Sequence, residues 1–234
     1  MHMPMFDPMY FLFIAPGFLL SLWASYRVRT AFGHYSQVGT ARGLSGAEAA
    51  RQLLNDAGLN SVGIVETEGQ LSDHYDPQLR RLALSHEVYH GRSVASIGVA
   101  THEAGHAIQH ATNYGPLGLR SMLVPVAGIG SSLGYMVMAI GLFVHPWVFL
   151  IGVAIFSMTL LFQIVTLPVE FDASARAKQL VVDAGIILPQ EREGMDKVLD
   201  AAALTYVAAA VSTLSVILYY LFRSGLLGGS RDDR

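Results

Sequence analysis

Long apolar stretches alternate with shorter polar segments along the chain, and the apolar ones set the first expectation. A helix needs about 20 residues to cross the hydrocarbon core of a bilayer. Residues 9–26 form one such stretch, and another runs from Ala203 to Phe222, ending in Tyr219, Tyr220 and Arg223. Between them, the apolar block from Ser121 to Leu167 has about twice the length of one span. His145-Pro146-Trp147 interrupts that block with a polar, helix-breaking, interface-preferring triplet, which predicts the turn of a transmembrane hairpin. Four membrane helices are therefore expected. Pro16 and Gly17 fall inside the first, but membrane helices tolerate both.

The segment between the first two spans has a different rhythm. Ser45-Gly46-Ala47-Glu48 carries the spacing of a capping box, apolar positions follow at Ala49, Ala50, Leu53 and Leu54, and Gly58 supplies a stop. This predicts a helix over 46–57. Val62–Val65 and Arg81–Ser85 read as short strands around the turn-rich stretch Gly69–Pro77. A second helix is expected from Ser93 to Ala111. The resulting organisation is a first span at 9–26, a compact region at 27–120, a transmembrane hairpin at 121–167, a helix and loop at 168–202 and a last span at 203–223. The fold class is mainly α membrane protein, with a small α/β region between the spans.

Composition agrees: 52% of the 234 residues are hydrophobic and only 14% charged, against about 25% charged in soluble domains. The absence of cysteine removes disulfides, thiolate metal sites and thiol nucleophiles, so any metal must be held by His and carboxylates. A net charge of −3 with scattered basic residues gives no footprint for nucleic acid. The leading MHMPMFDP has no Lys or Arg, and no small-x-small cleavage site follows the first apolar run, which favours a retained anchor over a signal peptide. Eight arginines in 27–120, with Arg176, Lys178, Arg192 and Lys197, put 12 of the 15 basic residues on one side of a four-span topology. The positive-inside rule assigns that side to the cytoplasm and leaves the N-terminus and the tail with Arg231 and Arg234 outside.

The chemistry centres on His102-Glu103-Ala104-Gly105-His106. Two histidines four apart on a helix emerge from one face about 5–6 Å apart, and the H-E-x-x-H pattern is that of metal-assisted hydrolysis. In that reading His102 and His106 bind zinc, one ion per chain, and Glu103 borders the metal as general base for a zinc-activated water. Gly105 is expected to leave the helix face open beside the metal. The bland alternative is two surface histidines and a glutamate, but the small apolar run Val94–Ala100 leads into burial, where such groups are costly without a metal or partners. A catalytic zinc takes a third protein ligand. His110 lies about 12 Å along the axis from His102, too far to share an ion. Glu170, just after the hairpin, returns to the same side as His102. Asp172 competes, and a helix-start acid with no ligand role fits Glu170 equally well on these grounds. Asp73-His74-Tyr75 reads either as a turn with Tyr75 packed, or as a polar loop in which His74 or Tyr75 contacts substrate or the oxyanion. His86 and His90 imitate a ligand pair but read as solvent-exposed, in a loop or strand end.

GLSGAEAARQLLNDAGL, SDHYDP, SVASIGVATHEAGHAIQHA and LPVEFDASARA, in that order, resemble the YugP-like neutral zinc metallopeptidases of bacterial membranes, over about 43–178. The Glu170–Ala177 segment also resembles the third-ligand helix of the HtpX and CAAX prenyl protease group. The resemblance implies a zincin-like, gluzincin-type region, with Glu170 as third ligand. It departs from the HtpX pattern at Ser174, where an Asp is usual.

The expected function is membrane-bound, zinc-dependent metalloendopeptidase activity on protein or peptide substrates at the cytoplasmic face of a bacterial plasma membrane. A peptide lying extended beside the strand at 81–85 would present its carbonyl. A site-2-type intramembrane protease fits poorly, because Val182-Asp183-Ala184-Gly185 is not in a span. The non-enzymatic alternative is a zinc-stabilised membrane scaffold or chaperone partner.

Overall fold

The computed structural model describes residues 7–227. Residues 1–6 and 228–234, which carry part of the charge argument for an external N-terminus and tail, lie outside the described residues. The chain is mainly helical, with helices α1 (Pro8–Tyr35), α2 (Gly46–Asp56), α3 (His86–His90), α4 (Val94–Ala111), α5 (Gly115–Ile129), α6 (Tyr135–Val144), α7 (Pro146–Asp183) and α8 (Arg192–Arg223). Strands β1 (Gly63–Thr67), β2 (His74–Asp76) and β3 (Arg81–Ser85) form one small mixed sheet. Two compact units result, one from residues 7–25, 119–167 and 205–227, the other from 26–118 and 168–204.

The first unit is apolar inside and out. Four helical stretches, Pro8–Tyr35, Gly115–Val144, Pro146–Asp183 and Arg192–Arg223, are long and apolar enough to cross a membrane. Phe11, Leu12, Leu19, Met122, Phe143 and Trp147 are exposed on them, which suits a hydrocarbon surround as apolar as these side chains. The hairpin turns where expected: His145 is extended (φ −164°, ψ 140°) and Pro146 opens α7, where its missing N–H costs nothing. Gly141 and Gly152 let α6 and α7 meet backbone to backbone, because a Cβ on either would collide with Phe149 or Met138. Met138, Phe149, Phe156, Tyr219 and Tyr220 fill the centre of this unit.

The second unit carries the polar chemistry. The α2 capping box is complete, with Ser45 Oγ accepting from Glu48 N (3.2 Å) and Glu48 Oε2 accepting from Ser45 N (2.7 Å). Leu53 and Leu54 of α2, Leu84 of β3, Ile97 of α4, Val181 of α7 and Met195 of α8 share one core. The sheet order is β1-β3-β2, with β1 parallel and β2 antiparallel to β3.

Four expectations are corrected here. The stretch read as all turn contains β2, which pairs with β3 from His74↔Ala83 to Asp76↔Arg81. Asp73 secures it by accepting from Ser85 N (2.7 Å) and Ser85 Oγ (3.0 Å). Strand β3 has a neighbour on each side, so a peptide cannot add alongside 81–85. His86–His90 is a short helix and not a loop. Helix α7 runs unbroken through Pro168, so Glu170 sits deep within a helix and not at a helix start.

Candidate metal centre

Helix α4 is capped by Ser93, whose Oγ accepts from Ser96 N (3.0 Å), and it is buried over most of its length. Its small residues permit that burial. Gly105 plays a part the sequence did not suggest. Instead of leaving the helix face open, it admits another backbone: a Cβ there would stand 2.7 Å from the carbonyl oxygen of Ala173 on α7. That close approach seats the Glu170–Ser174 turn of α7 against the His102–His106 turn of α4.

The three sequence-predicted ligands meet there. His102 Nε2 lies 3.2 Å and His106 Nε2 3.6 Å from the same oxygen, Glu170 Oε2. Zinc with bonds of about 2.0–2.1 Å in tetrahedral geometry separates its ligand atoms by about 3.3 Å, so the set has the dimensions of such a site. His106 and Glu170 are buried and His102 nearly so. Burial works against the charge on Glu170, yet its hydrogen bonds with His102 and His106 hold the carboxyl well below its ordinary value. Burial likewise opposes a charged His106, but the Glu170 hydrogen bond and the charges of Glu103 and Glu170 outweigh it and raise the imidazole pKa. A proton thus holds the metal-free site together where a cation would otherwise do so.

The far side of each imidazole is also fixed. Ser174 Oγ lies 3.1 Å from His102 Nδ1, so the residue that departs from the HtpX pattern still contacts this histidine. His106 Nδ1 donates to Gln109 Oε1 at 2.9 Å. The direction follows from the other end of that amide, whose Nε2 donates to Val169 O and Asp172 Oδ2, both at 2.8 Å. With Nδ1 protonated, His106 offers its Nε2 lone pair to a metal. Asp172, the competing carboxylate, faces Gln109 and Arg176 Nε (2.6 Å) instead, and Arg176 lies over the Tyr114 ring. Sequence reading missed Gln109, although its three-residue spacing from His106 placed it on the adjoining face. Glu103 is buried.

His110 stands one helical turn beyond His106, and its Nδ1 meets Tyr75 Oη at 2.8 Å. His74 is exposed, with Nδ1 2.8 Å from the Ser72 carbonyl. The structure therefore ties Tyr75 to α4 and turns His74 toward solvent.

This buried His₂-carboxylate set, braced from behind, has the donor atoms and spacing to hold a metal ion. The chain belongs to the family described as "Putative neutral zinc metallopeptidase", whose profile matches residues 10–225. It is 44% identical over 215 residues to the "Putative membrane protease YugP" of Bacillus subtilis (strain 168), covering 91% of this chain and 96% of that one. No solved structure matches it. Membership in the family implies zinc, which the donor set and its spacing suit.

Proposed function

We propose that this chain is a membrane-bound zinc endopeptidase of gluzincin type, with a zincin-like region at the cytoplasmic face of a bacterial plasma membrane. The observation that carries the reading is the convergence of His102 Nε2 and His106 Nε2 on one oxygen of Glu170, with both Nδ1 atoms engaged behind them. A structural zinc is normally enclosed by four protein ligands, whereas three leave a position for water. The clustering of basic residues in 27–120 and 168–202 supports the cytoplasmic placement.

Zinc held by these three side chains would lower the pKa of a water molecule and polarise the scissile carbonyl. His102, His106 and Glu170 fix its position. Glu103 takes the proton from the water as general base and returns it to the departing amine. Tyr75 is the better of the two oxyanion candidates, since its hydroxyl is already aligned toward α4 through His110. The open edges of the sheet are β1 and β2, and the tie from β2 to α4 favours β2 as the edge where an extended peptide adds.

The decisive comparison is hydrolysis of casein or a membrane protein by detergent-purified wild type and Glu103→Gln. Loss of about 10²–10⁴-fold in turnover with zinc content unchanged is expected. Zinc-loaded wild type without activity, or the same residual background activity in both, would instead favour a zinc-stabilised scaffold.

A further inference from the structure

The sequence contains the H-E-x-x-H pattern a second time, as His86-Glu87-Val88-Tyr89-His90. In contrast to the buried copy, this one forms the whole of α3 at the protein surface. Strand β3 runs straight into α3, and β1 lies parallel to β3 in the register Glu66↔Leu84 and Thr67↔Ser85. Glu66 therefore emerges beside the start of α3, where one helical turn has placed His90 above His86. The contacts follow: His86 Nδ1 lies 2.6 Å from Glu66 Oε1, and His90 Nε2 lies 3.2 Å from Glu66 Oε2. The two imidazole centroids are 4.9 Å apart, and one donor atom from each residue lies within 4.8 Å of the others.

We propose that Glu66, His86 and His90 form a second metal site, distinct from the His102–His106–Glu170 centre, that takes a first-row divalent transition ion such as zinc. Two imidazoles and one carboxylate are a borderline donor set that suits zinc, copper or nickel and gives magnesium and calcium little. The His86 and His90 side chains are 81% and 56% exposed, so the ion keeps water ligands and exchanges with solvent. Glu87 is exposed to solvent, which makes this a binding site and not a second catalytic centre. Its mechanical effect is to join strand β1 to the segment that leads into α4. Ser96 Oγ, in the first turn of α4, already donates to Glu87 O at 3.1 Å. The inference stands apart from the peptidase reading, since it uses none of the same side chains.

The test is equilibrium dialysis of the full-length, untagged protein in detergent against zinc, with elemental analysis. Wild type is expected to reach two ions per chain and His86→Ala/His90→Ala one. Glu66→Gln, which keeps the shape of the site, is expected to weaken the second ion while leaving the first unchanged. Dialysis against magnesium is expected to give no second ion. A stoichiometry in His86→Ala/His90→Ala unchanged from wild type, whether one ion or two, overturns the proposal. His102→Ala/His106→Ala should retain the exchangeable ion, which separates failure at this site from failure at the buried one.

Discussion

The alpha carbon of Gly105 faces the carbonyl of Ala173 so closely that a single methyl group on Gly105 would lie 2.7 Å from that oxygen. Neither backbone can retreat easily, because each belongs to a helix buried in the same core. Gly105→Ala is expected to cost about 1–3 kcal/mol, the usual range for overpacking. It should also lower zinc affinity, by displacing Glu170 from the two histidines. Thermal unfolding with and without zinc checks this; an unchanged Tm and zinc content would show that α7 does not depend on the gap.

Removing Glu170 leaves two buried imidazoles with no third ligand. Glu170→Ala is expected to lose most bound zinc and all hydrolysis, and Glu170→Gln to fare nearly as badly, because an amide oxygen carries no charge for the ion. Elemental analysis of the purified variants is the measurement. Retention of wild-type zinc content would remove Glu170 from the ligand set.

Gln109 does not face the ion, yet it sets the orientation of His106 and bonds both Val169 and Asp172. Gln109→Leu keeps the approximate volume and removes all three hydrogen bonds. Zinc affinity is expected to fall about 10–100-fold, as for other residues that brace a ligand. Competition with a chromophoric chelator reads it directly.

The metal-free and zinc-loaded proteins should respond to pH in opposite directions. In the metal-free protein, the raised His106 contributes stability below its ordinary value of 6.5 that disappears as pH rises through its folded value. The lowered Glu170 contributes stability above 4.5 that disappears as pH falls through its folded value. The pair therefore helps most between about pH 4.5 and 6.5. Zinc needs His106 unprotonated, so its affinity should climb with pH across and above that window. Tm measured from pH 5 to pH 8, with zinc and with chelator, should give curves that diverge as pH increases.

Much of this was legible in the sequence because the signals were periodic or local. The His145-Pro146-Trp147 break, the Ser45 capping box and the His102/His106 spacing each lie within a few residues, and each appears in the structure where its chemistry placed it. The parts that escaped depend on residues distant in the chain. Strand β2 is three residues long and exists through pairing with β3, so the turn-formers Asp73, Asp76 and Pro77 in and around it advertised only a turn. The close approach of Gly105 depends on Ala173, and the contacts of Glu66 with His86 and His90 on the pairing of β1 with β3, and neither leaves a pattern of fixed spacing. The helix-start reading of Glu170 failed for a different reason: the apolar helix before it continues through Pro168, a residue that membrane helices tolerate.

The Gln109 amide has a further consequence, for how the centre would fill. An amide has a direction, and turning this one round would set its NH₂ group against a donor and sacrifice two good acceptors together. His106 can therefore give up a proton only from its Nε2, the atom aimed at Glu170. Losing that proton leaves His106 in the tautomer that an ion at the proposed centre requires, so loading should proceed as an exchange of a proton for metal, with no ring flip to slow it.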